Sequence, residues 1–167
     1  MSRPPGGLEV RPLEDGDRPW AISVLRRSWA SSRVVSRGRV RDARSLPGFV
    51  ARWEGDRAGL VTWAAEEADC EVVTLDSLLP GRGIGRALLE AAAAEARQRG
   101  CRRLWLVTTN DNTPALRWYQ RLGWDLVALH RGAVVEARRL KPEIPELGLD
   151  GIPIRHELEL ELRLKGG

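Results

Sequence analysis

The junction Leu78-Leu-Pro-Gly-Arg-Gly-Ile-Gly-Arg86 constrains this chain more than any other segment. A β-branched run from Cys70 to Asp76 leads into it, and a long Ala-rich helical segment leaves it. Gly81, Gly83 and Gly85 fall within five residues at the junction. Glycines there let backbone N–H groups approach a ligand with no Cβ in the way. The following helix turns its free N–H groups and its positive end, roughly +0.5 charge, toward the same spot. The chemistry is that of a phosphate or pyrophosphate site. It is not a P-loop, because the Lys and the Ser/Thr hydroxyl are missing. It is not a Gly-x-Gly-x-x-Gly dinucleotide turn either. Counted from Gly81 the last position is Arg86, and counted from Gly83 it is Leu88.

The remaining chain sets the frame around this turn. With 167 residues and 43% hydrophobic content, a single domain over residues 8–167 is expected, with residues 1–7 as a flexible leader. No apolar run reaches the ~20 residues that span a bilayer. The start, Met1-Ser-Arg-Pro-Pro, lacks the apolar middle of a secretory signal. Cys70 and Cys101, both read as strand residues, stand at no metal-ligand spacing. They are expected to be buried free thiols in a cytoplasmic protein.

Charge is segregated. Arg26 to Arg57 holds nine Arg against Asp42, Glu54 and Asp56, while Glu143 to Arg163 holds six acids against two Arg. The basic stretch lacks interleaved aromatics or a nucleic-acid motif, so it reads as a solvated face rather than a nucleic-acid site.

Periodicity and punctuation predict strands over Val10–Leu13, Phe49–Trp53, Ala58–Ala65, Cys70–Leu75, Leu104–Val107 and Trp124–Leu129, and a final one over Ile154–Leu164. Helices are predicted over Trp20–Trp29, Gly85–Arg99, Asn112–Leu122 and Gly132–Leu140. The Arg33–Arg44 stretch fits a helix or an ordered loop. In the last strand Ile154, His156, Leu158, Leu160, Leu162 and Leu164 share one face and the charges take the other. This order defines an α/β or α+β domain with a mixed sheet.

Two motifs in order resemble the GNAT superfamily of N-acetyltransferases. The first is Pro80-Gly-Arg-Gly-Ile-Gly85, similar to that family's (Arg/Gln)-x-x-Gly-x-(Gly/Ala) acetyl-CoA signature, with Pro80 where the family has Arg or Gln. The second begins 27 residues beyond Gly85, at Asn112-Thr-Pro-Ala115, and continues through Tyr119 to Leu122-Gly-Trp124. It matches the family's Asn-x-x-Ala-x-x-x-Tyr block and its Leu-Gly-aromatic ending. The resemblance covers residues 8–130, and topology extends it to the final strand.

The resemblance implies a mostly antiparallel sheet of about seven strands flanked by helices and splayed at an acetyl-CoA site. It implies acetyl-CoA as co-substrate, no metal, and direct attack of a primary amine on the thioester. The expected cofactor contacts are Val73, Thr74, Leu75, Gly81, Arg82, Gly83, Ile84, Gly85, Arg86 and Asn112. Tyr119 resembles the general acid for the leaving thiolate, and Asn112 is also a helix cap. Glu71 is the expected general base. It is read as sharing a face with Val73 and Leu75, with Asp76 as a competitor pointing the opposite way and a water chain as a third route. His156 fits a satisfied core or strand-end residue or a proton acceptor, and His130 an exposed or structural one. Thr108 and Thr109 end the strand beside the opening. The acceptor, a small-molecule or peptide amine, would meet residues 20–48 and 130–156. There Arg33, Arg37, Arg39, Arg41, Arg131, Arg138 and Arg139 are placed to attract an anionic group. No nucleic acid or membrane partner is expected, and a monomer or homodimer is. A non-catalytic acyl-CoA-binding module is the alternative reading.

Overall fold

A computed structural model describes residues 7–165. The leader expected over residues 1–7 lies outside them apart from Gly7, whose carbonyl accepts the Glu54 N–H at 3.1 Å. The elements in chain order are β1 (Leu8–Pro12), α1 (Arg18–Trp29), β2 (Arg33–Ser36), β3 (Arg39–Asp42), β4 (Gly48–Trp53), β5 (Asp56–Glu66) and β6 (Asp69–Ser77). They continue with α2 (Ile84–Gln98), β7 (Arg103–Thr109), α3 (Thr113–Arg121), β8 (Asp125–His130), α4 (Ala133–Leu140) and β9 (Glu157–Arg163).

Seven strands form one sheet in the order β1-β4-β5-β6-β7-β9-β8, antiparallel except at β6–β7. On one face α2 and α3 bury Leu88, Leu89, Ala92, Ala96 and Tyr119 against Val61, Trp63, Val72, Leu104 and Leu160. On the other, α1 packs Ala21, Val24 and Leu25 on Leu60.

The Arg33–Arg44 stretch is neither helix nor loop. It is a second, two-stranded sheet, β2–β3, turning through Arg37 and Gly38 at φ 49° and 76°. These angles suit the two-residue turns whose twist matches paired strands. Val34 packs against Ala64 and Val73, which lays the hairpin over the face of the main sheet. Cys101 lies just before β7 rather than in a strand, and both thiols are buried and free.

Two irregularities position the site. β6 and β7 pair only through Asp69–Arg103, Cys70–Leu104 and Glu71–Trp105, after which the strands part. Between Thr62 and Trp63 the β5–β6 register shifts, so that Thr62 faces Thr74 while Trp63 faces Val72, and Val73 is the extra residue of a β-bulge. Bulges bend a strand, and this one stands where β6 leaves β7. It also corrects the expected side-chain directions. Glu71 and Val73 face the hairpin, but beyond the bulge Leu75 packs on the α2 side. Asp76 now shares the face of Glu71, where its carboxylate accepts the Trp29 Nε1–H at 3.1 Å.

The acids of β9 are not solvated. Leu160 and Leu164 are buried on one side, while Glu157, Glu159 and Glu161 are buried on the other beneath the Arg-rich hairpin. Arg103 Nη1 reaches Glu159 at 2.8 Å and Glu161 at 3.0 Å, and Arg37 Nη1 lies 3.4 Å from Glu159. Arg41, only 14% exposed, bonds Glu71 at 2.8 Å and Glu66 at 3.2 Å. Arg37 of the basic stretch thus meets Glu159 of the acidic one, and Arg39, Arg41, Arg44, Arg52 and Arg57 of the same stretch pair with other acids.

Candidate active site

The parted strands and the glycine turn enclose a cavity of 510 Å³. Val73, Thr74, Leu75, Gly81, Gly83, Ile84, Gly85, Arg86 and Asn112 all line it, and so does Tyr119. Arg82 does not, because its guanidinium lies 5.2 Å from the centre of the Trp53 ring. Arg86 lines the cavity while pairing with Glu90 at 3.1 Å. Sequence reasoning missed Trp29, Val72, Ser77, Leu79, Leu106, Val107 and Trp118, which also line it. Trp118 was within reach, as it immediately precedes Tyr119 in the second motif.

The glycines serve different physical needs. Gly83 caps α2 at φ 73°, a conformation other residues adopt at a cost. The first intrahelical bond runs from Ala87 N–H to the Gly83 carbonyl at 3.0 Å. The N–H groups of Ile84, Gly85 and Arg86 are thereby left facing the cavity without helical partners. Gly85 is needed for close approach: a Cβ there would stand 3.1 Å from the Trp118 ring. Gly85→Val should push Trp118 and α3 off α2. The expected result is weaker CoA binding by calorimetry and a lower Tm, and wild-type values for both would contradict it.

Along the parting, β6 beyond Glu71 and β7 beyond Trp105 have no ladder partner on their facing edges. An extended ligand arm can pair there as an added strand. Asn112 does cap α3, its side chain accepting the Ala115 N–H at 3.2 Å. Pro114 sits in that first turn, where no N–H is lost. Tyr119 is held edge-on against Trp118 at 4.9 Å between ring centres, with Trp124 at 5.4 Å. Burial, with Asp76 nearby, pushes the Tyr119 phenol well above its ordinary value, so it keeps its proton at neutral pH. Burial also raises Asp76, opposed by hydrogen bonds from Ser28 and Trp29.

A second cavity, of 230 Å³, adjoins the first and shares Trp29, Val72, Val73, Val107, Thr108 and Asn112 with it. Glu71 belongs to this one, as do Thr109, Glu157 and Lys141. Lys141 is buried with its Nζ donating to the carbonyls of Trp29 at 2.6 Å and Arg33 at 2.9 Å.

The arginines expected to draw an anion here are largely engaged elsewhere. Arg37, Arg39 and Arg41 pair with Glu159, Glu66 and Glu71. Arg138 donates to the carbonyls of Ile144, Pro145 and Ile154, and Arg139 pairs with Glu136. Arg33 and Arg131 are exposed. The second cavity therefore holds two carboxylates, Glu157 and the Arg41-paired Glu71, beside the ammonium of Lys141. His156 is structural, its Nδ1 accepting the Gly132 N–H at 2.9 Å at the start of α4. His130 Nε2 lies 2.9 Å from Glu159.

Two cavities, one with backbone donors and a phenol and one with carboxylates, thus adjoin where β6 and β7 part. Residues 19–124 match the model of the acetyltransferase (GNAT) family, and the chain belongs to that family. An uncharacterized protein of Bacillus subtilis, YxbD, is 40% identical over 144 residues, covering 86% of this chain and 91% of its own. Among solved structures, a nourseothricin acetyltransferase is 26% identical with a TM-score of 0.66, covering 95% of this chain and 99% of that one. A GNAT family acetyltransferase from Elizabethkingia anophelis, solved with acetyl-CoA bound, shares the fold at 17% identity and a TM-score of 0.69, covering 95% and 99%. Among the described residues no helix is long and apolar enough to cross a membrane.

Proposed function

We propose that the protein is an acetyl-CoA-dependent N-acetyltransferase in which a primary amine attacks the thioester carbonyl directly. The observation that carries this reading is the meeting of the two cavities at the β6–β7 parting, with Tyr119 on the donor side and buried carboxylates on the acceptor side.

Each part then has a task. The N–H groups of Ile84 to Arg86 hold the pyrophosphate with the dipole of α2 behind them. Pro80 supplies no donor, so the turn relies on the backbone that follows it. The free edge of β6 from Val73 to Leu75 pairs with the pantetheine arm and directs the acetyl group into the parting, where a backbone N–H polarises its carbonyl. The amine enters through the second cavity and loses its proton to a carboxylate there, which Glu71 and Glu157 both line. Tyr119 protonates the departing thiolate.

Acetyl-CoA binding is tested by thermal unfolding. A ligand present at 100 times its Kd adds about 2.7 kcal/mol to folded-state stability, so Tm should rise with added acetyl-CoA or CoA. No rise with either would overturn the reading. A rise without turnover of any amine would favour an acyl-CoA-binding module.

A further inference from the structure

We propose that Glu157 is the group that takes the proton from the acceptor, and that the acceptor is a primary amine at the end of an apolar arm. The inference rests on the acetyl-transfer reading and specifies its acceptor side.

Besides Asp76, which is 9% exposed and lines neither cavity, four carboxylates are buried on the hairpin face of the sheet: Glu71 and Glu157 at 3% exposure, Glu159 at 5% and Glu161 at 7%. Three of them are neutralised by cations. Glu161 has Arg103 at 3.0 Å and Arg163 at 2.8 Å, Glu159 has Arg103 at 2.8 Å, and Glu71 has Arg41 at 2.8 Å. Among the described residues Glu157 has no cationic side chain within 4.0 Å and accepts only the backbone N–H of Arg37, at 3.1 Å on Oε2. Its other oxygen is left for a ligand. Glu157 stands opposite Thr109, on the stretch where β6 and β7 have already parted, whereas Glu71 belongs to the last paired row. Glu157 is thus the acid at the open end.

A second polar group in the same cavity also lacks a partner. The Ser36 hydroxyl is buried, lines the cavity and makes no hydrogen bond. Burying a hydroxyl unpaired costs roughly 1–3 kcal/mol, so a ligand that bonds it recovers that loss. An ammonium group offers donors to both Glu157 and Ser36. The remaining wall, with Val34, Val35, Val107, Val134, Ala137 and Ile144, suits an apolar arm and offers no free cation to an acidic one.

The surroundings also tune the carboxyl. Burial pushes Glu157 above the ordinary glutamate range. Arg37 from the β2–β3 turn and His130 from β8 oppose this, while Glu71 from β6 adds to it. Lys141 lines the same cavity, with its Nζ held by two carbonyls. A raised carboxyl is a better proton acceptor than an ordinary one. Asp76 lines neither cavity.

The step balances. The ammonium gives one proton to Glu157, and the freed nitrogen pair forms the C–N bond at the thioester carbonyl. Collapse breaks the C–S bond with its electron pair on sulfur, and Tyr119 gives that sulfur a proton. The second nitrogen proton restores Tyr119, and Glu157 passes its proton to solvent. One proton is released per turnover.

The test uses n-hexylamine and acetyl-CoA with the whole protein. Wild-type kcat/KM for the amine should rise with pH along a one-proton limb lying well below the amine's own titration. Glu157→Gln should lower it by about 10²-fold or more and abolish that limb, while Glu71→Gln retains the limb. A limb retained in Glu157→Gln, or lost in Glu71→Gln alone, overturns the assignment. A readout independent of turnover is the ¹³C carboxyl resonance of Glu157, identified by its loss in Glu157→Gln. It should titrate above the ordinary value of about 4.3 and fall when n-hexylamine is added. An ordinary titration unmoved by the amine overturns the inference with or without acetyl transfer. A signal that moves without transfer counts against the transfer reading alone.

Discussion

Tyr119→Phe should lower kcat for acetyl transfer by about 10²- to 10⁴-fold, the usual worth of a positioned proton donor, and leave acetyl-CoA affinity nearly unchanged. The change removes one oxygen from a ring packed between Trp118 and Trp124, so the aromatic contacts that seat it persist. Because burial keeps the phenol protonated, the wild-type rate should show no descending limb from Tyr119 across the neutral range. A structural tyrosine predicts the opposite split: activity retained and Tm reduced. Rate and affinity measured on the same preparation separate the two roles. An unchanged kcat would remove Tyr119 from the chemistry.

Arg103→Met should cost about 3–5 kcal/mol of stability at neutral pH, the range for breaking a buried pair from one side. Methionine keeps much of the stem's volume but withdraws the charge from Asp69, Glu159 and Glu161. Arg163 and His130 remain beside Glu161 and Glu159 and hold the loss toward the lower end. The pH dependence carries a sign. Burial pushes Glu159 up, but hydrogen bonds from Arg103 and His130 outweigh it and leave the carboxyl below its ordinary value. A depressed carboxyl stabilises the fold above the unfolded-state pKa and loses that contribution as pH falls through the folded one. The variant lacks part of that contribution, so its deficit should shrink on acidification below about pH 4.3. Urea unfolding of both proteins at neutral and acidic pH checks this, and an equal deficit at the two would contradict it.

Much of the donor side was legible in the sequence. The glycine turn and the Asn112–Trp124 block each carry their own chemistry, and nine of the ten expected cofactor contacts line one cavity, with only Arg82 turned away. Local rules suffice there, because helix starts, caps and tight turns are decided by residues close in sequence. The acceptor side was not legible, because distant pairings decide it. The hairpin over Arg33–Asp42 has few apolar residues of its own and is held by Val34 on Ala64 and Val73 and by Arg41 on Glu71. Its available signal was Gly38 between two short alternating runs. The bulge at Val73 left no mark in the β-branched run, yet it decides which way Leu75 and Asp76 face. Glu157 was hidden by its likeness to Glu159 and Glu161. Only the ion pairs of those two, and the lack of one at Glu157, set it apart.

The most direct measurement of the central claim is release of free thiol from acetyl-CoA, coupled to mass-spectrometric detection of the acetylated product across a panel of primary amines. The account predicts thiol released in equal amount to N-acetylated amine, saturable in both substrates, with the highest kcat/KM for amines on apolar arms. Acetyl-CoA that binds yet yields no amide with any amine in the panel would contradict it.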